Sequence, residues 1–181
     1  MEIINTSIDD LVVIKPSVYL DERGYFFESF NIEKYKKIIS EAEFMQDNES
    51  KSNYGVIRGL HFQKKPHEQS KLVRVIKGKV LDVAVDLRKG SKTFGKYESI
   101  ILSDKNKKQL YIPRGFAHGF IVLSKEAIFA YKVDNFYAPS YDCGIKYNDP
   151  DLNIDWIVPS DKIIISEKDN QLQYLRELSF D

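Results

Sequence analysis

Cysteine is nearly absent. Cys143 is the only one in 181 residues, so no intrachain disulfide can staple the fold. That fits a reducing compartment, and a cytoplasmic location is expected; Cys143 itself reads as a loop bystander. Net charge is absent too, Lys plus Arg and Asp plus Glu each counting 27. A general nucleic-acid binder would show a basic excess, so none is expected as partner. A local basic pocket for a small anion is still possible. No basic stretch followed by an apolar one opens the chain, so no secretory signal is expected. No apolar run approaches a membrane span, so no membrane partner is expected. Repeats, low-complexity stretches and Pro/Gly/Ser linkers are missing as well, and residues 1–181 read as one domain. Histidine is scarce: His61, His67 and His118 are the only three. A metal site built mainly on imidazoles needs more, so no metal is expected.

What is present is an ordinary globular composition, 43% hydrophobic and 30% charged. Aromatics at 13% suit both a β-barrel core and stacking on a base or sugar. Leu11 to Pro16 reads as a short strand, Asp21-Glu22-Arg23-Gly24 as a turn, and Tyr25 to Phe30 as an aromatic strand. One helix stands out, with Asn31 as N-cap, Ile32, Tyr35, Ile38, Ile39 and Ala42 on one face, and Lys34, Lys36, Lys37 and Glu41 on the other.

Beyond that helix the pattern is β. Leu72 to Ile76 and Lys79 to Leu87 flank Lys77-Gly78, a hairpin signal. In the second run Leu81, Val83, Val85 and Leu87 alternate with Asp82, Ala84 and Asp86, which predicts one apolar face. Tyr97 to Leu102, Gln109 to Ile112, Phe116 to Leu123 and Ile128 to Val133 are further strands, joined by polar turns. Many short strands point to a sandwich or barrel. From Ser166 onward, Leu172, Leu175 and Leu178 suggest a short helix packed outside.

His61 lies in Arg58-Gly59-Leu60-His61-Phe62-Gln63. In an extended chain it shares a face with Gln63, opposite Leu60 and Phe62. A buried polar face of this kind is costly unless it has a use; the plainer reading is a solvated strand end. Pro113-Arg114-Gly115-Phe116-Ala117-His118 matches half of the cupin-barrel pattern, a turn followed by an inward His. The His-x-His half that would bind metal is missing, since Phe62 and Gln63 follow His61. His67 falls in a polar loop and reads as surface or structural. Lys71 opens a strand and, with Arg58 and Arg23, could hold phosphates or a developing oxyanion. Physical chemistry alone does not single out Tyr131 among eleven tyrosines, nor Asp169 among the carboxylates.

Taken together, Gln46-Asp47-Asn48, Arg58 to Gln63, Lys71 to Val75, Asp82 to Arg88, Pro113 to Phe120, Tyr131-Lys132 and Asn148-Asp149-Pro150 resemble the dTDP-4-dehydrorhamnose 3,5-epimerase family in order and spacing over nearly the whole chain. The resemblance implies an all-β fold, a cupin-type double-stranded β-helix or jelly-roll barrel with a few short helices. It implies a homodimer that exchanges N-terminal strands, a nucleotide-sugar substrate, and no cofactor. The activity implied is epimerisation at C3 and C5 of dTDP-4-dehydro-6-deoxy-D-glucose, a step toward dTDP-rhamnose and surface polysaccharide. His61 matches the general base, Tyr131 the general acid, Asp169 the partner of the base, and Lys71 the lysine near the C4 oxygen. Arg23, Glu28, Gln46, Asn48, Arg58, His118, Asp142 and Lys168 match substrate-contact positions. The chain departs from the family where Asp142 and Cys143 stand for Glu and Arg, and where Tyr147 stands for Trp. Three other readings stay open: an epimerase of one centre only, a metal-dependent cupin oxygenase, and a non-catalytic sugar-binding cupin.

Overall fold

Period-two patterning becomes two antiparallel sheets laid face to face. The computed structural model describes residues 1–39 and 43–179. Its elements are β1 (Glu2–Asn5), β2 (Val12–Lys15), β3 (Tyr19–Asp21), β4 (Gly24–Phe26), α1 (Ile32–Tyr35), β5 (Gln46–Asn53), β6 (Ile57–Gln63), β7 (Lys71–Lys77), β8 (Lys79–Asp86), β9 (Tyr97–Ser103), β10 (Gln109–Ile112), β11 (Phe116–Val122), β12 (Glu126–Val133), β13 (Asp142–Gly144) and α2 (Glu167–Asn170). One sheet runs β1-β2-β10-β7-β12-β5 and the other β13-β6-β11-β8-β9. This is the expected jelly-roll barrel. No helix among the described residues is long and apolar enough to cross a membrane.

The main core fills the space between the sheets. Val73, Val75, Leu110 and Phe129 from one meet Val80, Ala84, Phe120 and Val122 from the other. A buried Phe such as Phe129 contributes roughly 2–3 kcal/mol by leaving water. A second cluster lies outside the five-stranded sheet, where Leu81, Val83 and Val85 pack beneath Leu152, Trp156 and Val158 of the C-terminal segment.

Several expectations change. Lys77-Gly78 is not a hairpin turn: β7 pairs with β10 and β12, while β8 pairs with β9 and β11. The chain crosses here from one sheet to the other. Gly78 takes φ +86°, and a Cβ there would collide with the Glu126 carbonyl. Strand β8 has no solvated face, because its second face looks into the barrel, where Asp82 and Asp86 are fully buried. The aromatic strand shrinks to β4, which among the described residues pairs only with β3 and leaves Tyr25 and Phe26 exposed. Phe30 instead packs on Tyr35 and Phe44. Asn31 does cap α1, accepting from the Glu33 and Lys34 amides. The helix closes after Tyr35, whose hydroxyl is pinned to Gln109 at 3.0 Å; residues 36–38 continue as a turn. Glu41 and Ala42, expected on that helix from the sequence, lie outside the described residues. Cys143 sits on β13 opposite Phe62 rather than in a loop. Beyond α2, Leu175 and Leu178 pack on the outer cluster, Leu175 within a short 3-10 turn.

Strand β5 has no apolar alternation at all, reading Gln-Asp-Asn-Glu-Ser-Lys-Ser-Asn. It forms because all eight residues pair with β12. Its inward residues face a cavity instead of a core.

Candidate active site

A cavity of about 700 Å³ opens at one end of the barrel. His61 and Arg58 reach it from β6 and His118 from β11. Lys71, Tyr131 and Asn48 come from β7, β12 and β5 of the facing sheet, and Lys168 and Asp169 from α2. The two sheets therefore put His61 and Tyr131 on opposite walls.

Arg58 and His61 are three apart, so a regular strand would point them to opposite faces. A bulge re-phases them. Along the β6–β11 ladder His118 faces His61, but Phe120 faces Arg58. Two steps on β11 thus span three on β6, and the extra residue brings both side chains to the cavity. Gly59 makes this possible. It takes φ +117°, and a Cβ there would lie 2.5 Å from Gly119 Cα.

His61 Nε2 lies 2.9 Å from Asp169 Oδ1. A carboxylate only accepts, so a neutral His61 carries its proton on Nε2 and has its Nδ1 lone pair free. Burial alone would raise the Asp169 carboxyl; hydrogen bonds from His61, the Gly59 amide and Ser166 outweigh it and hold the group below its ordinary value. Tyr131 is raised by burial, with Arg58 pulling the other way. Burial lowers the Lys71 ammonium to about 8, against the pull of Asp82 and Asp142. Arg58 is steadied by the Ser52 hydroxyl at 3.0 Å.

Other predicted residues stand at the rim or away. Gln46 does not line the cavity; its amide donates to Asn48 at 2.9 Å. Asp142 accepts from Lys168 at 2.6 Å and from the Tyr137 hydroxyl at 3.1 Å, so it meets the cavity through Lys168. Arg23 is exposed and bound to Asp21, and Glu28 pairs with Asn31 and Lys34. Neither reaches the cavity of its own chain. Gln63 is structural, bonding to the His67 and Phe136 carbonyls and the Ala138 amide. His67 packs on Tyr141 with ring centroids 4.3 Å apart. Among the described residues no group of three or more His, Cys, Asp or Glu side chains could hold a metal ion.

A family model described as dTDP-4-dehydrorhamnose 3,5-epimerase matches residues 5–177. The chain belongs to that family. A dTDP-4-dehydrorhamnose 3,5-epimerase from Methanothermobacter thermautotrophicus is 53% identical over 176 residues, covering 96% of this chain and 94% of that protein. The enzyme of the same name from Escherichia coli K12 is 49% identical, with 98% and 96% covered. Among solved structures, the dTDP-6-deoxy-D-glucose-3,5-epimerase of Legionella pneumophila in complex with dTDP-4-keto-L-rhamnose superposes with TM-score 0.95 at 48% identity, covering 98% of this chain and 94% of that one.

For this epimerase-family chain, sequence reasoning passed over three supports of the cavity. Asp82 stands behind His118, with Nε2 to Oδ1 at 3.0 Å; an Asp between Leu81 and Val83 in an apolar run was the available signal. Ser52 had no signal, since β5 is polar throughout. The Phe120–Phe129 stack, 4.2 Å between centroids, joins residues of the two sheets that no local pattern connects.

Proposed function

We propose that this chain inverts C3 and C5 of dTDP-4-dehydro-6-deoxy-D-glucose, giving dTDP-4-dehydro-L-rhamnose. Both carbons flank the C4 carbonyl, so their protons become acidic once the enolate oxygen is stabilised. Lys71, as an ammonium in a poorly solvated site, places charge where that oxygen develops. His61 removes the proton from one face, with Asp169 fixing its tautomer and stabilising the imidazolium. Tyr131 returns a proton from the other face, and the centre inverts. Burial keeps its phenol protonated, as a donor must be. Arg58 and Lys168 are suited to the diphosphate. No electron leaves the substrate in this sequence, so it uses no redox cofactor, and Lys71 supplies the positive charge at the developing oxyanion.

The observation that carries this reading is the placement of His61 and Tyr131 on facing sheets around one cavity that also holds Lys71. Turnover of the dTDP-4-keto sugar in deuterated water tests it. Deuterium at both C3 and C5 is expected. Label at one centre only points to a single-centre epimerase; no label refutes the assignment.

The chain is further read as a cytoplasmic homodimer. Tyr19, Leu20, Tyr25 and Phe26 of the β3–β4 hairpin are 56–80% exposed, a patch that a second copy would cover. The same exchange would carry Arg23 and Glu28 toward the partner's cavity.

A further inference from the structure

Next to the His61–Asp169 pair lies a second imidazole–carboxylate pair that the reaction above does not use. His118 Nε2 is 3.0 Å from Oδ1 and 3.1 Å from Oδ2 of Asp82. His118 is 7% exposed and Asp82 0%. Across the β8–β11 ladder His118 faces Ala84 and Asp82 faces Phe120, so the carboxylate sits diagonally behind the imidazole. The imidazole also stacks on Phe129, at 6.1 Å and 25°. A charge buried in a strand costs stability unless something answers it. Among the described residues Asp82 is paired with no Lys or Arg.

The contact fixes a proton. Asp82 as a carboxylate only accepts, so the shared proton belongs to Nε2. Burial lowers the His118 imidazole below its ordinary value; Asp82 opposes this, and Lys71 and His61 add to the lowering. A neutral ring protonated on Nε2 has a bare acceptor at Nδ1. Such a ring favours a sugar hydroxyl, which can donate, over a carbonyl or ether oxygen.

The same carboxylate acts on Lys71. The charged and titratable groups around Lys71 are Glu49 on β5, Arg58 and His61 on β6, Asp82 on β8, His118 on β11, Tyr131 on β12, Asp142 on β13, and Lys168 and Asp169 on α2. Asp169 is engaged by His61, and Asp142 by Lys168 and Tyr137. Glu49 is exposed; Asp82, fully buried and bonded to the His118 that lines the same cavity as Lys71, is left as the buried countercharge without a cation of its own.

We propose that Asp82 is a positioning residue for the epimerisation: it holds the single proton of His118 on Nε2, leaving Nδ1 as an acceptor for the bound sugar, and it supplies the buried countercharge behind Lys71. The role in turnover rests on the epimerase reading; the proton's position does not.

Nitrogen-15 NMR of the substrate-free protein reads that position, because His61→Gln and His67→Gln variants assign the three imidazoles by elimination. His118 is expected as the neutral Nε2–H tautomer at pH 7. An imidazolium, or an Nδ1–H tautomer, overturns the proposal. In Asp82→Asn, kcat/KM should fall by about ten- to a hundredfold, and its alkaline limb should move to lower pH. The sign follows from charge: without the carboxylate Lys71 gives up its proton more readily, so a reaction needing the ammonium fails earlier as pH rises. A purely structural role would lower the rate without moving the limb, and an unmoved limb overturns the proposal. If Asp82→Asn does not fold, the wild-type spectrum still decides, and Asp82→Glu is expected to retain the wild-type limb. A wild-type protein inactive on the nucleotide sugar refutes the epimerase reading alone, since the spectrum is taken without substrate.

Discussion

His61 and Asp169 are 108 residues apart in the chain and 2.9 Å apart in the fold. The C-terminal segment makes that meeting. The Ile57 amide donates to the Ile164 carbonyl at 2.9 Å, laying residues 163–165 beside the start of β6. Ser166 then caps α2 and presents Asp169. Its second oxygen takes the Gly59 amide at 3.2 Å, so one carboxylate secures both the base and the bulge that aims it.

Asp169→Asn should therefore be more damaging than its size suggests. An amide can donate to Nε2 and drive the His61 proton to Nδ1, which blocks the lone pair. A fall in kcat of about 10²- to 10⁴-fold is expected, comparable with loss of the base itself in His61→Ala. Near-normal turnover of either variant would overturn the base assignment. Nucleotide binding, measured by calorimetry, should survive in both.

Tyr131→Phe should separate proton removal from proton return. The ring stays, so packing beside Phe129 at 6.2 Å between centroids is kept. His61 can still form the enolate and return the proton to the original face. Deuterium should enter the substrate faster than epimer accumulates. Epimerised product at the wild-type rate would show that another group supplies the second proton.

Rate should fall above about pH 8. Lys71, lowered to about 8 by burial, works as a cation, so activity is present below that value and lost as pH rises through it. Tyr131, moved upward by burial, ionises later and does not set this limb. A pH profile of kcat/KM that stays flat to pH 10 would remove Lys71 from its role.

Gly59→Ala should cost both stability and rate. The residue occupies positive φ, and its Cβ would meet Gly119 Cα at 2.5 Å and the His118 carbonyl at 2.6 Å. Strain of roughly 1–3 kcal/mol is expected, which lowers Tm by several degrees in a chain of this size. Because the bulge aims Arg58 and His61, kcat should drop further than stability explains. Calorimetry with steady-state kinetics checks both.

Sedimentation at micromolar concentration should give a particle of twice the 21.0 kDa chain mass. Replacing Leu20 and Phe26 by Ser should shift it toward monomer and reduce activity together, since Arg23 rides on the same hairpin. A stable, fully active monomer would refute the exchange.

Strands β2 and β7 to β12, the Asn31 cap and the inward His118 were legible because each depends on neighbours a few residues apart. Alternation in β8, turn residues before β4 and the Pro-x-Gly-x-x-His spacing are local facts, and composition disfavoured a disulfide scaffold or a basic nucleic-acid surface. Long-range pairing was not legible. Lys77-Gly78 looks like a hairpin from its own sequence, and only the packing of β7 and β8 into different sheets makes it a crossover. Polar β5 has no pattern of its own and exists through β12. Tyr131, Asp169 and Asp82 are ordinary residues until the fold surrounds them. Burial and partners distant in sequence then shift the proton affinity of Tyr131 and Asp169 and join Asp82 to His118, and those are properties of three-dimensional proximity that no single stretch of sequence encodes.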